Sequence, residues 1–248
     1  MGAVEGQGLW PWQLPAARHS RFHARHAVRH SCGKIGLVNT EPTPDAAARS
    51  AASPRKRPKP GERRTQILQV LAGMLEQPGA ERITTAALAA RLDVSEAALY
   101  RHFASKAQMF EALIDFIETS VFGMVNQIAD NPLPLPPPGK AARIASVILQ
   151  FGEKNPGMTR VMVGDALVFE NERLTARVNQ LFDRVESVLR QVLRAAAEAQ
   201  GCTAPTAQAQ VQASVLVSFV IGRLQRYARS GFKRLPCDQL DAALRLLA

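Results

Sequence analysis

Cysteine, histidine and long apolar runs are all scarce in this 248-residue chain. The three cysteines, Cys32, Cys202 and Cys237, are odd in number and widely separated. That fits a reducing cytosol better than a disulfide framework and shows no pair at zinc-site spacing. No apolar run approaches the roughly 18–20 residues needed to cross a bilayer. The first residues lack the compact apolar stretch of a secretory signal, so a cytoplasmic location without membrane insertion is the expectation. There is no glycine-rich phosphate loop, no His-Glu-x-x-His and no nucleophile set beside a base. The expectation is therefore no catalytic residue, no metal and no cofactor. Aromatic residues make up only 6%, and no segment alternates polar and apolar residues strongly enough to require a strand.

Alanine, helical periodicity and unevenly placed positive charge are present instead. The formal charge is +10, but residues 1–60 carry ten Lys/Arg against three Asp/Glu, while residues 61–248 carry 21 against 18. A nearly balanced globular part follows a basic N-terminal end. Such charge favours phosphate backbones without conferring sequence specificity. Residues 1–57 hold no sustained period and read as a basic tail, or as sequence upstream of a later start. A later start would need a non-AUG codon, because the next methionine is Met74. His19, His23, His26 and His30 would share one face if helical, yet a solvated basic arm is the simpler reading. Pro54 to Pro60 form a basic, proline-broken linker.

The densest information lies in residues 83–110. Thr85 to Leu92 is alanine-rich and carries Leu88 and Leu92 four residues apart. Asp93-Val94 interrupts it, and Ser95 is placed to cap a second helix over Glu96–Phe103. Two short helices joined by a tight turn make a helix-turn-helix, whose second helix enters the DNA major groove. Small side chains at Ala86, Ala87, Ala89, Ala90, Ala97 and Ala98 suit a close crossing. Upstream, Ile67, Val70, Leu71, Met74 and Leu75 mark a bracing helix over Glu62–Gln77. Ser95, Glu96 and Ala97 fall nearest base edges, with Ala97 able to touch a thymine methyl. Thr84 and Thr85 would meet the phosphate backbone at a helix N-terminus, and Arg101 a base or phosphate. Leu99 and Phe103 would face the core.

The run Leu99-Tyr100-Arg101-His102-Phe103, followed by Ser105 and Lys106, resembles the DNA-binding domain of the TetR family. The segment 151–170, beginning Phe151-Gly152-Glu153-Lys154-Asn155-Pro156-Gly157, resembles more narrowly the nucleoid-occlusion branch of that family. The similarity spans about Arg63 to Arg234. It implies phosphate contacts from Tyr100, His102 and Lys106. It also implies a protein bound to palindromic chromosomal sites at the nucleoid, with two dimers on one site as one arrangement, that restrains the division protein FtsZ. Phe116, Lys154 and Asn155 match the surface that such proteins present to the FtsZ tail, whereas Met124 and Gln150 replace an arginine and a glycine there. Read from the residues alone, Phe116 could equally be packing, Lys154 a solvated charge and Asn155 a helix cap.

The expected fold is all-α: a three-helix head over residues 58–106 on a larger helical body over 107–248. After a cap at Ser105, a long helix reaches about Ile128. Prolines at 132, 134, 136, 137 and 138 break it. Helices resume over 140–153, 157–168, 171–200, 205–229 and 237–247. One head grips too few base pairs for useful specificity, so the body should form a homodimer. Leu181, Val185, Val188 and Val192 on one long helix, with Val211, Val215, Phe219 and Leu224 on the next, are the candidate seam. The alternative function is a TetR-type repressor released from DNA by a small ligand. In that case Phe151, Met158, Met162 and Phe169 would line a pocket; otherwise they fill a core.

Overall fold

The computed structural model describes residues 61–77, 83–132 and 139–247, and every regular element among them is helical. The four tail histidines, the 54–60 linker and prolines 134–138 lie outside the described residues. The order is α1 (Glu62–Leu75), α2 (Thr85–Arg91), α3 (Glu96–Tyr100), α4 (Lys106–Ala129), α5 (Gly139–Lys154), α6 (Pro156–Met162), a 3-10 turn (Asp165–Leu167), α7 (Glu172–Ala199), α8 (Pro205–Arg229) and α9 (Leu240–Leu247).

Local chemistry explains most of these boundaries. Thr84, Ser95 and Ser105 each sit in extended backbone and accept from the N–H three residues on, at 3.1, 3.3 and 3.2 Å. Each satisfies a donor that the first helical turn leaves open. The α2–α3 turn is closed by the Val94 N–H on the Ala89 carbonyl (3.1 Å) and the Asp93 N–H on the Ala90 carbonyl (3.2 Å). Asp93 takes φ +55 to make that reversal, a conformation that short polar side chains tolerate better than most. Gly201, at φ +71, ends α7 in the same manner.

Two elements are shorter than their apolar patterns suggest. Helix α3 stops at Tyr100, because the N–H groups of His102 and Phe103 both turn back onto the Leu99 carbonyl. The segment expected to be one helix over 157–168 breaks at Gly164, whose φ of +82 separates α6 from the 3-10 turn.

Ile67, Leu71, Leu88, Leu99 and Phe103 of the head, and Met109 and Phe110 at the start of α4, are all at or below 1% exposure. The body centres on α4, α5, α7 and α8, with α7 against α8 as its most extensive pairing. On α8, Ala209 and Ala213 are fully buried and let the two long helices approach closely. The head joins the body by α1 packing on α6 and on α4.

Candidate nucleic-acid interface

The recognition segment presents its short helix outward from a buried base. Leu99 and Phe103 anchor it at 1% and 0% exposure, as their periodicity predicts. Ser95, Glu96, Ala97, Tyr100 and Arg101 are exposed, and Tyr100 keeps 46% of its surface. At the start of α2, Thr84 is exposed and Thr85 half-buried.

Several of these groups already have protein partners. The Thr85 hydroxyl donates to the Glu96 carboxylate at 2.6 Å, joining the N-termini of α2 and α3. Glu96 is thereby a strut within the head as well as a residue on its face. Ser95 and Thr84 spend one hydroxyl lone pair each on capping, and their O–H groups remain able to donate outward.

His102 is half-buried, and its carbonyl accepts from Arg64 Nη1 at 2.7 Å. The same guanidinium lies 4.2 Å from the Phe103 ring centroid. Arg64 therefore clamps the end of the recognition segment from α1, 38 residues away. Nothing in the local pattern reveals this role, since an arginine in the first turn of a helix ordinarily reads as a solvated charge. Lys106 is likewise engaged: its amine pairs with Glu170 of the body and sits 5.7 Å from the Phe110 ring centroid.

The head–body joint rests on a close backbone approach at Gly157. A Cβ at this position would lie 2.0 Å from the Ala72 carbonyl oxygen of α1. The Gly157 N–H donates to the Glu76 carboxylate, although burial still holds that acid above its ordinary pKa. Nearby, the Tyr227 hydroxyl donates to the Glu153 carbonyl at 3.1 Å, and the Cys237 N–H donates to the Glu153 carboxylate at 3.2 Å. Burial, reinforced by the negative field of Glu153, pushes both the Tyr227 phenol and the Cys237 thiol up to about 12.

Phe116 is half-buried on α4, while exposed Lys154 and half-buried Asn155 sit at the α5–α6 junction. Helix α4 packs against both α5 and α6, so the three occupy neighbouring elements. The Asn155 amide donates to the Phe151 carbonyl at 2.7 Å, which makes it the C-cap of α5. Phe151, Met158 and Met162 are buried, whereas Phe169 is 66% exposed and fills no core.

The proposed dimer seam needs a correction. Leu181 and Val185 are 1% exposed and Leu224 is 0% exposed within a single chain, because α7 and α8 pack on each other and on α4 and α5 through them. These three build the protomer's own core and offer no surface to a partner. Val215 stays 43% exposed, and Val188, Val192 and Phe219 are partly so. Val211 is 64% exposed and lies one turn before Val215 on the same stripe.

Comparison with known proteins supplies the context for this geometry. Residues 67–113 match the family model described as bacterial regulatory proteins, tetR family. Residues 140–248 match the SlmA-like model, described as tetracyclin repressor-like, C-terminal domain. The nucleoid occlusion factor SlmA of Photobacterium profundum is 49% identical over 191 residues, covering 77% of this chain and 96% of that one. Its namesake from Vibrio cholerae is 48% identical over 187 residues, covering 75% and 94%. Among solved structures, the MbdR regulator from Azoarcus superposes with a TM-score of 0.62 at 18% identity, covering 74% of this chain and 96% of that one. The TetR-family regulator PfmR from Thermus thermophilus gives 0.60 at 20% identity, with 73% and 96% covered. The last two establish the fold alone.

Proposed function

Because this chain belongs to the TetR-type SlmA family of DNA-binding, non-catalytic regulators, we propose that it is a nucleoid occlusion factor. Bound as a homodimer to palindromic chromosomal sites, it inhibits FtsZ assembly and so keeps the division septum off the nucleoid. The observation that carries this reading is identity near 48–49% across head and body together. A shared head alone would speak only for DNA binding, since many regulators carry the same reading unit on unrelated bodies.

In this reading, Ser95, Glu96 and Ala97 lie nearest base edges, Arg101 meets a base or a phosphate, and Thr84, Thr85, Tyr100, His102 and Lys106 meet phosphates. Phe116, Lys154 and Asn155 lie at the FtsZ surface. Lys154 is the exposed cation there, suited to acidic groups on an incoming peptide. Asn155 acts by shaping the α5–α6 corner, because its amide is committed to a cap. The dimer seam comprises Val188, Val192, Val211, Val215 and Phe219.

The test is sedimentation of FtsZ polymers with this protein, with and without chromosome fragments selected by binding. A fall in pelleted FtsZ that requires the DNA supports the proposal. Unchanged FtsZ assembly, combined with release of DNA by a metabolite, would instead identify a ligand-responsive repressor.

A further inference from the structure

Lys106 opens α4 immediately after the recognition segment, yet its amine is bonded to a carboxylate 64 residues downstream. That partner, Glu170, lies between the 3-10 turn and α7, and its side chain is only 10% exposed, against 27% for Lys106. Its two predecessors are arranged the opposite way: Val168 and Phe169 are 70% and 66% exposed. A loop that turns two large apolar side chains into water and one acid inward inverts the usual burial preference. The inversion is sustained by the ion pair, since an acid this enclosed is costly without its cation.

We propose that Glu170 sets the DNA affinity of this protein by holding Lys106, so that the body carboxylate and a DNA phosphate compete for one ammonium group. The proposal rests on the reading in which Lys106 meets phosphate. In the free protein the lysine is neutralised and oriented by Glu170. Engaging a phosphate draws it away and leaves an enclosed carboxylate that must recruit a cation from solution. Part of the counterion release expected from one more phosphate contact is thereby cancelled. The same exchange links the head to the 165–170 segment: whatever draws Glu170 outward tightens DNA binding, and DNA binding loosens Glu170 by the same factor.

The experiment measures duplex binding by fluorescence anisotropy across a salt series, on a selected site and a scrambled duplex. It uses the full-length wild type, Glu170→Gln, Glu170→Ala, Lys106→Ala and the Glu170→Gln/Lys106→Ala double variant. Either Glu170 variant should bind both duplexes about three- to tenfold more tightly. Its salt dependence should steepen by up to about 0.9 in slope per engaged head. The double variant should match Lys106→Ala alone. Wild-type or weaker binding by both Glu170 variants, at native helical content and dimer mass, overturns the proposal. If Lys106→Ala weakens binding under that outcome, the phosphate role of Lys106 survives and only the control by Glu170 fails. If Lys106→Ala changes neither affinity nor slope, the phosphate role falls and this inference falls with it.

Discussion

Alanine at Gly157 tests the joint between head and body most directly. The added Cβ would stand 2.0 Å from the Ala72 carbonyl oxygen, 2.9 Å from its carbon and 3.2 Å from the Leu75 Cβ. An ordinary carbon–oxygen approach is about 3.3 Å, so α6 must retreat from α1 by roughly 1.3 Å. Both nearest atoms are backbone, and no rotamer change can relieve them. Overpacking of this kind costs about 1–3 kcal/mol. Two other glycines calibrate the result. Gly123 lies mid-helix in α4, where an added methyl group would meet no atom within 4 Å, and should gain about 0.5–1 kcal/mol as alanine. Gly152 would meet the side-chain tip of Leu224 at 2.4 Å and the Thr159 hydroxyl at 3.0 Å, side-chain rather than backbone atoms, and should fall between the two. Urea unfolding at fixed protomer concentration reads all three as midpoint shifts at constant slope. Gly157→Ala should also weaken DNA binding, because α1 both packs on α6 and carries the Arg64 clamp. A Gly157→Ala protein as stable as Gly123→Ala would refute the close approach.

Other outcomes follow from the same structure. Tyr100→Phe and Lys106→Ala should weaken binding to specific and random DNA alike; a loss confined to the specific site would contradict their phosphate roles. Arg64→Ala should lower DNA affinity with little change in helical content, measured by anisotropy and circular dichroism, because it frees the end of the recognition segment; unchanged affinity removes the clamp. Val215→Arg should shift sedimentation equilibrium toward monomer, whereas Leu224→Ala should cost about 2–5 kcal/mol of stability through a core cavity. A dimer untouched by Val215→Arg places the seam elsewhere. Alkali should destabilise the fold: the thiol of Cys237 and the phenol of Tyr227 are held up to about 12 when folded, against 9.0 and 10.0 for the free groups. Their contribution to stability is thus complete below pH 9 and declines as pH rises toward 12. Tyr227→Phe should flatten the upper part of that decline in denaturant midpoints.

Much of the candidate site is legible in the chain because it is local. Ser95 and Ser105 sit one position before their helices, and capping acts over three residues. Leu99 and Phe103 repeat at helical spacing, so their burial beneath an exposed Tyr100 follows from one turn of geometry. Periodicity misleads where both sides of an element are covered. Leu181, Val185 and Leu224 have the same apolar character as Val211 and Val215, yet the first three are core and the last two face outward.

By itself, then, the amino-acid order determined most of the helices, the caps at Ser95 and Ser105, the reading unit and the family. These depend on contacts among neighbours a few residues apart and on a short motif. The tertiary structure alone decided which apolar stripe remains open to a second copy, that Arg64 grips the end of the recognition segment, and that Glu170 holds Lys106. Such pairs join positions 38 and 64 residues apart. Only the packing of whole helices brings them within reach, and no local pattern records which distant partner a charged side chain will meet.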